Sequence, residues 1–329
     1  MSNYNNAQYL SESIESILHQ SHDNFEFIII DDGSTDNSKE IIKEYADVDM
    51  RIKPHLHKIN QGLVKCLNFG LKKSNGKYIA RMDSDDISLP TRLETQLDFM
   101  EMHPEICLCG SAIEIFDANE SRNHFYATDH NHIKLRLLLN SEFAHPTVMI
   151  KKSIFDDYSF FYSSDYPAAE DYDLWVRISE KCTVANIRNV LLKHRRHDQA
   201  ESIIKNTLQT NSVKKIKSRS FDKLGVPYTE EKNAILKNIV DKTYRLELSF
   251  VRQAEKLLSE FAYANQSTNY FNDLFIRDYI QETWQRLTYG STRFGLNFYQ
   301  LFKNSSLTEW SQLSIFFKLK LLVKSLIKI

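Results

Sequence analysis

The stretch Lys77-Tyr78-Ile79-Ala80-Arg81-Met82-Asp83-Ser84-Asp85-Asp86 runs from a β-favouring segment into three carboxylates. Tyr78 and Ile79 give the segment its apolar character, and Gly76 and Pro90 mark turns on either side. We therefore expect a short buried strand with acids at its carboxyl end. In open α/β sheets ligands bind at that end, and clustered oxygen ligands suit a divalent cation that holds a substrate phosphate. The alternative is a solvated loop whose acids cap the following helix.

A second apolar segment ends in the same way. Phe25-Glu26-Phe27-Ile28-Ile29-Ile30 is typical of a buried parallel strand, and Asp31-Asp32-Gly33-Ser34-Thr35-Asp36 follows it. Helical patterns precede and follow it, which predicts an α/β fold with a doubly wound, mostly parallel sheet. Two strands then deliver acids to one sheet edge. A nucleotide diphosphate is the ligand that this favours, with Asp32 accepting hydrogen bonds from base or ribose and Asp83 and Asp85 holding the metal.

Composition narrows the class of protein. The chain has 329 residues, 42% of them hydrophobic, and a formal net charge of −1, which gives no global attraction to nucleic acid. Its four cysteines form neither zinc-type pairs nor a disulfide framework, so we expect a reducing cytoplasm. Glycines concentrate in the first third, and the pattern becomes long and helical after about residue 201. We expect an α/β domain over 1–200 and a helical region over 201–329.

Several motifs in order resemble those of family 2 glycosyltransferases of the GT-A fold. They are Tyr4-Asn5, Ile30-Asp31-Asp32-Gly33-Ser34-Thr35-Asp36, Asn60-Gln61-Gly62-Leu63 and Ala80-Arg81-Met82-Asp83-Ser84-Asp85-Asp86. The resemblance covers roughly residues 3 to 200. It implies that Tyr4 and Asp32 contact a nucleotide sugar and that Asp83-Ser84-Asp85 is the D-x-D element. Asp85 would be the main ligand of Mn²⁺ or Mg²⁺, with Asp83 beside it.

The segment Ala169-Glu170-Asp171-Tyr172 opens a predicted helix. The positive end of the helix dipole would help keep Asp171 ionised, as a general base requires. The alternative is that these acids only cap the helix. The resemblance matches Glu170-Asp171 to the family's E-D pair, whose aspartate is the base of inverting members, and we take Asp171 as the catalytic base with Glu170 on the acceptor side.

Two histidines are further candidates. His145 lies in a segment that resembles the family's acceptor-side strand, although a lone histidine is more often a satisfied core or turn residue. His197 ends the basic run Lys193-His194-Arg195-Arg196-His197 after a predicted strand, and it matches a family histidine near the metal or diphosphate. The alternative for that run is a basic surface turn.

The resemblance implies an inverting transfer of a hexose or N-acetylhexosamine from a UDP-sugar. Asp165-Tyr166-Pro167 before the E-D pair resembles members that build lipooligosaccharide chains, so the acceptor would be a saccharide or lipid-linked oligosaccharide of the cell surface. Two alternatives remain open. One is an inactive sugar-nucleotide-binding remnant, and the other is a sugar nucleotidyltransferase, whose glycine-rich phosphate loop does not occur in this sequence.

The two ends of the sequence carry two more predictions. Residues 311–329 place apolar residues beside Lys320, Lys324 and Lys328 at four-residue spacing, which predicts an amphipathic helix on the inner face of an anionic membrane. The alternative is a helix that packs on the protein's own core. Family members also open with a buried strand before the Tyr-Asn pair, so we expect this chain to lack that central first strand.

Overall fold

The computed structural model describes residues 1–197, 206–310 and 313–328. The chain divides into two compact units, Met1–Lys214 and Lys215–Ile329. The domain boundary predicted near residue 200 lies outside the described residues and stays a prediction.

The first unit alternates strands and helices, as the sequence predicts. Its strands are β1 (Ser2–Asn3), β2 (Phe27–Asp31), β3 (Ile52–Leu56), β4 (Tyr78–Ala80), β5 (Ile87–Ser88), β6 (Ile106–Phe116), β7 (Ser121–His124), β8 (Met149–Lys151) and β9 (Thr183–Arg195). Its helices are α1 (Ala7–Leu18), α2 (Ser38–Val48), α3 (Leu63–Lys73), α4 (Arg92–Met102), α5 (His130–Arg136), α6 (Ser153–Tyr158) and α7 (Glu170–Ser179). The predicted α/β fold is confirmed.

The strands form two sheets. β1, β2 and β3 pair in parallel, and the second sheet has the order β4-β8-β6-β9-β5, with β7 on β6. Within it β6 and β9 are parallel, whereas the pairings of β4, β5, β7 and β8 are antiparallel. The second sheet is therefore more mixed than the mostly parallel arrangement that we expected. Within it β6 and β7 form a hairpin, whereas helices lie in the chain between the partners of the β4–β8, β6–β8 and β5–β9 pairs.

Apolar periodicity explains the core of the first sheet. Leu10, Ile14 and Ile17 recur on one face of α1 and pack in one cluster with Ile29 of β2. All four side chains are buried. This continuous apolar contact fixes α1 on β2, and with it the position of the loops that follow β1 and β2. The acidic residues after β2 are thereby held on a rigid layer.

The strand β4 differs from its prediction. Its residues are half-buried or exposed and not buried, because β4 pairs with β8 on one side and is an edge strand of its sheet. The other side faces a cavity of about 620 Å³ whose walls include Met1, Ile28 and Ile79. Ser2 and Ile30 also line the cavity; Ser2 pairs with Ile30 of β2 and bridges Asp83. The expected absence of the family's buried first strand stays a prediction, although Ser2–Asn3 forms a two-residue strand on β2.

The second unit is helical. Helix α8 (Asn206–Leu224) enters it, and α9 (Glu230–Asp241), α10 (Leu248–Thr268), α11 (Asp273–Ser291), α12 (Leu296–Asn304), α13 (Ser306–Trp310) and α14 (Ile315–Ile327) follow. Helix α10 packs on α9 and α11, and buried Phe261 and Trp284 are among the largest side chains of this core. None of the described helices has an apolar stretch long enough to cross a bilayer.

Candidate active site

Three carboxylates gather in the loop after β4. Oxygen atoms of Asp83, Asp85 and Asp86 lie within 4.8 Å of one another. Asp86 is fully buried and accepts a hydrogen bond from the backbone N–H of Arg195 at 2.9 Å, so it fastens the loop to the end of β9. Asp83 and Asp85 are half-buried and stay accessible to a ligand. The loop that carries the predicted D-x-D pair is thus fixed between the end of β4 and the end of β9.

Charge at this cluster is only partly balanced. Burial raises the pKa of Asp83, the ion pair with Arg81 opposes the rise, and the carboxylate of Asp85 adds to it. Burial would lower the pKa of His194, but its contact with Asp86 raises it above the ordinary value of 6.5. Carboxylates this close repel each other, and a bound cation would relieve the repulsion.

The residues present fit a divalent cation. Asp83 and Asp85 offer hard oxygen ligands, and Nε2 of His197 lies 2.9 Å from Oδ2 of Asp85. Nδ1 of His197 is buried and has no hydrogen-bond partner among the described residues. The D-x-D pair and the histidine at the end of the basic run, predicted as metal ligands, therefore lie together. Arg195 belongs to β9, so the run does not form the surface turn of the alternative interpretation.

Arg195 was not among the predicted site residues. Its Nε donates a hydrogen bond to the backbone carbonyl of Asp85 at 2.9 Å. Its guanidinium lies 4.6 Å from the ring centre of Tyr9 and 4.7 Å from that of Phe116. His197 also packs on Tyr9, with ring centres 5.1 Å apart. Arg195 is thus a positioning residue for the acidic loop, and the basic run was its only sequence signal.

Asp32 lies after β2 and holds the following loop. Its carboxylate accepts backbone N–H bonds from Gln61 at 2.9 Å and Gly62 at 2.8 Å, and it faces Nδ1 of His57 at 3.3 Å. Burial would raise the pKa of Asp32, but these bonds outweigh it and lower the pKa. Asp32 is therefore ionised and shapes the loop. Its predicted contact with a nucleotide stays a prediction.

Gly33 permits this close approach of two loops. Its φ is +77°, and a Cβ added there would lie 2.6 Å from the backbone carbon of Ile59. A larger residue would push the loop that carries Gln61 and Gly62 away from Asp32.

The other nucleotide candidates lie at the ends of β1 and β4. Ser84 is buried, and its Oγ accepts a hydrogen bond from Nδ2 of Asn6 at 2.9 Å. Oδ1 of Asn5 accepts the backbone N–H of Thr35 at 2.8 Å, and Tyr4 is 47% exposed. The loop before α1 therefore touches both acidic loops and leaves the ring of Tyr4 accessible.

Asp171 lies in the first turn of α7, as predicted, with Glu170 before it. Burial raises the pKa of Asp171 above 3.8, the backbone N–H of Tyr172 opposes the rise, and Arg81 and Asp83 exert opposite charge effects. Burial therefore outweighs the helix N-terminus, contrary to the expected net effect of the dipole. A raised pKa is the property that favours proton abstraction near neutral pH. The effects of Arg81 and Asp83 place Asp171 within electrostatic range of the acidic cluster.

His145 lies in a short 3₁₀ turn (His145–Thr147) beside α7. Its Nε2 is 2.9 Å from the hydroxyl of Tyr162, and its ring packs edge-on against Trp175. Burial and the nearby Arg81 hold the pKa of His145 well below 6.5, so it is neutral at pH 7. The contact with an acceptor that we expected of His145 stays a prediction.

The fold and the site define a class of protein: an α/β unit with acidic residues after β2, after β4 and at the start of α7. The strands β2 and β4 belong to two different sheets, so the expectation that both deliver acids to one sheet edge is corrected. Comparison with known proteins identifies the class. Residues 1–159 match the family described as glycosyl transferase family 2. An uncharacterized glycosyltransferase of Haemophilus influenzae is 32% identical over 270 residues, which are 79% of this chain and 82% of the relative. The chain belongs to glycosyl transferase family 2.

A second relative is similar in sequence, and solved structures of another protein are similar in fold. The O-antigen biosynthesis glycosyltransferase WbnJ of Escherichia coli is 36% identical over 202 residues, 59% of this chain and 76% of WbnJ. The crystal structure of S. aureus TarS 1-349 aligns with a TM-score of 0.55 at 16% identity, over 80% of this chain and 79% of the 1-349 chain. TarS has also been solved in complex with UDP-GlcNAc, and that structure aligns with a TM-score of 0.54. The predicted GT-A fold is confirmed.

Proposed function

We propose that this glycosyltransferase moves a hexose or N-acetylhexosamine from a UDP-sugar to a saccharide acceptor and inverts the anomeric centre. The observation that supports the proposal is that burial raises the pKa of Asp171 and that the charge of Asp83, a member of the carboxylate cluster, adds to this rise. The carboxylate cluster suits binding of a metal and diphosphate, and Asp171 suits removal of a proton. The UDP and UDP-GlcNAc complexes of TarS support a uridine nucleotide as the donor.

Mn²⁺ or Mg²⁺ would be held by Asp83, Asp85 and His197. When bound, the ion would neutralise the diphosphate of the donor and the charge that develops on it as it leaves. The chain's own groups act around it. Arg195 fixes the backbone of Asp85, and Arg81 pairs with Asp83, so both carboxylates are oriented before a ligand arrives.

Asp171 would take the proton from the acceptor hydroxyl as its oxygen attacks the anomeric carbon. The bond from that carbon to the diphosphate oxygen breaks on the opposite face, and the electron pair leaves with UDP. A single displacement inverts the anomeric centre and needs no covalent intermediate. Glu170 and His145 would border the acceptor, because Glu170 precedes Asp171 in α7 and His145 contacts Tyr162.

The acceptor would be a saccharide or lipid-linked oligosaccharide of a cell-surface polymer. The assignment of WbnJ to O-antigen biosynthesis supports this class of acceptor. We place the reaction in the cytoplasm, at the inner face of the membrane. The four cysteines are free thiols, which suits a reducing compartment.

The test is release of UDP from UDP-GlcNAc and UDP-hexoses by the full chain, with and without Mn²⁺ and with lipid-linked oligosaccharides as acceptors. We expect acceptor-stimulated UDP release that requires the metal. Release of pyrophosphate from UTP and a sugar phosphate would instead identify a nucleotidyltransferase. Donor binding without transfer to any acceptor would identify a binding remnant, and either result would overturn the proposal.

A further inference from the structure

Helix α14 presents an apolar surface that the second unit leaves uncovered. Leu321 and Ser325 are buried against α12 and the preceding 3₁₀ turn (Thr292–Phe294). On the opposite side six apolar side chains are exposed, and Phe316 has 78% of its surface accessible. The exposed set consists of Ile315, Phe316, Leu319, Val323, Leu326 and Ile327. At about 100° per residue these positions form one continuous arc of roughly 120°.

Lysines border this arc on both sides. Lys318 lies at one border, and Lys320 and Lys324 lie at the other. The Nζ atoms of Lys320 and Lys324 lie 5.2 and 4.5 Å from the ring centre of Tyr289. This contact holds both lysine side chains at the edge of the apolar arc. None of these lysines forms an ion pair with an acidic side chain in the part of the chain that the structure describes, and residues 313–328 contain no acidic residue.

We propose that α14 binds the surface of an anionic membrane. The helix would lie in the plane of the interface, with the apolar arc among the acyl chains and the bordering lysines at the phosphate level. Charge complementarity favours an anionic membrane over a second copy of the chain as the partner of this surface. A second copy would place lysine against lysine. The helix begins with its N-cap in place, since Oγ of Ser314 accepts the backbone N–H of Phe317 at 3.2 Å. No folding step is therefore needed on binding.

The binding surface does not depend on the activity proposed above. Only the idea that it brings the enzyme to a lipid-linked acceptor rests on the proposed function. Vesicle binding and UDP release are measured separately, so the failure of one leaves the other testable.

The experiment is cosedimentation of the full chain with vesicles of phosphatidylcholine, with and without phosphatidylglycerol, at low and high salt. We expect binding to the anionic vesicles that weakens as salt rises. Phe316→Ser combined with Leu319→Ser and Leu326→Ser should lower the partition coefficient at least tenfold. Tyr263→Ser combined with Leu274→Ser is the matched control, because both side chains are exposed elsewhere in the second unit.

The charged border is tested separately. Lys318→Gln combined with Lys320→Gln should weaken binding about fivefold per lysine on anionic vesicles and leave binding to neutral vesicles unchanged. Lys256→Gln combined with Lys303→Gln is the control. No binding to anionic vesicles, or equal binding by the serine variant, would overturn the proposal. Loss of a dimer in the serine variant, without any vesicle binding, would show that a second copy covers the arc instead.

Discussion

Nε2 of His197 lies 2.9 Å from Oδ2 of Asp85, and this contact joins the end of β9 to the loop after β4. The imidazole packs on Tyr9 of α1, so three separate segments of the chain meet at one carboxylate. Such a contact orients a metal ligand before the metal arrives.

We predict that His197→Gln weakens Mn²⁺ binding about 10–100-fold, the usual cost of losing a group that ligates or orients at a metal site. Electron paramagnetic resonance of free Mn²⁺ measures this without relying on activity. His132→Gln is the control, because His132 is an exposed histidine that also faces an aspartate, Asp129. Equal Mn²⁺ affinity in wild type and His197→Gln would remove His197 from the site.

A second prediction concerns Arg195. Arg195→Lys keeps the positive charge but loses the planar group that stacks between Tyr9 and Phe116 and donates to Asp85. We expect a higher KM for the donor and weaker Mn²⁺ binding, with kcat reduced less. Arg196→Lys is the control because Arg196 is the neighbouring exposed arginine. It should change neither the donor KM nor Mn²⁺ binding. A lower melting temperature with an unchanged KM would restrict Arg195 to a structural role.

The pKa of Asp171 predicts the acidic limb of the pH profile. Because burial raises this pKa above 3.8, the carboxyl loses its proton only as the pH passes that higher value. A base acts in its deprotonated form, so kcat/KM should rise with pH and level off above the raised pKa. Glu170→Gln is the control, and its pH profile should show the same acidic limb as that of wild type. If Asp171→Asn kept the same limb, another residue would be the base.

The cavity beside Met1 predicts the effect of a strand fused at this end of β1. An apolar strand of about five residues joined to Met1 would continue the β1–β2 ladder between β2 and β4, and each buried backbone group that it satisfies would contribute about 1–3 kcal/mol. We expect a higher melting temperature for that fusion. A fusion of equal length with a central proline should give little gain. Equal melting temperatures for the apolar fusion and the parent chain would contradict the predicted extension of the β1–β2 ladder.

Local sequence patterns predict the α/β alternation and the acidic loops, because apolar runs such as Phe27–Asp31 end in acids that mark the sheet edge. The proximity of His197 to Asp85 was expected only from the family motifs, since these residues are 112 positions apart. Arg195 was missed because its stacking partners lie on distant elements. The half-buried state of β4 was missed because strand burial depends on the neighbouring strand, which propensity does not report.

The central claim is that one site holds two separable functions, binding of the nucleotide at Asp85 in the loop after β4 and proton removal at Asp171 in α7. Calorimetric titration of UDP in the presence of Mn²⁺, beside a turnover assay on the same preparations, tests it most directly. Asp85→Asn should weaken metal-dependent UDP binding, with only partial rescue by added metal. Asp171→Asn should bind UDP as wild type does while turnover falls about 10²–10⁴-fold. Normal UDP binding by Asp85→Asn, or near-normal turnover by a folded Asp171→Asn protein, would contradict the account.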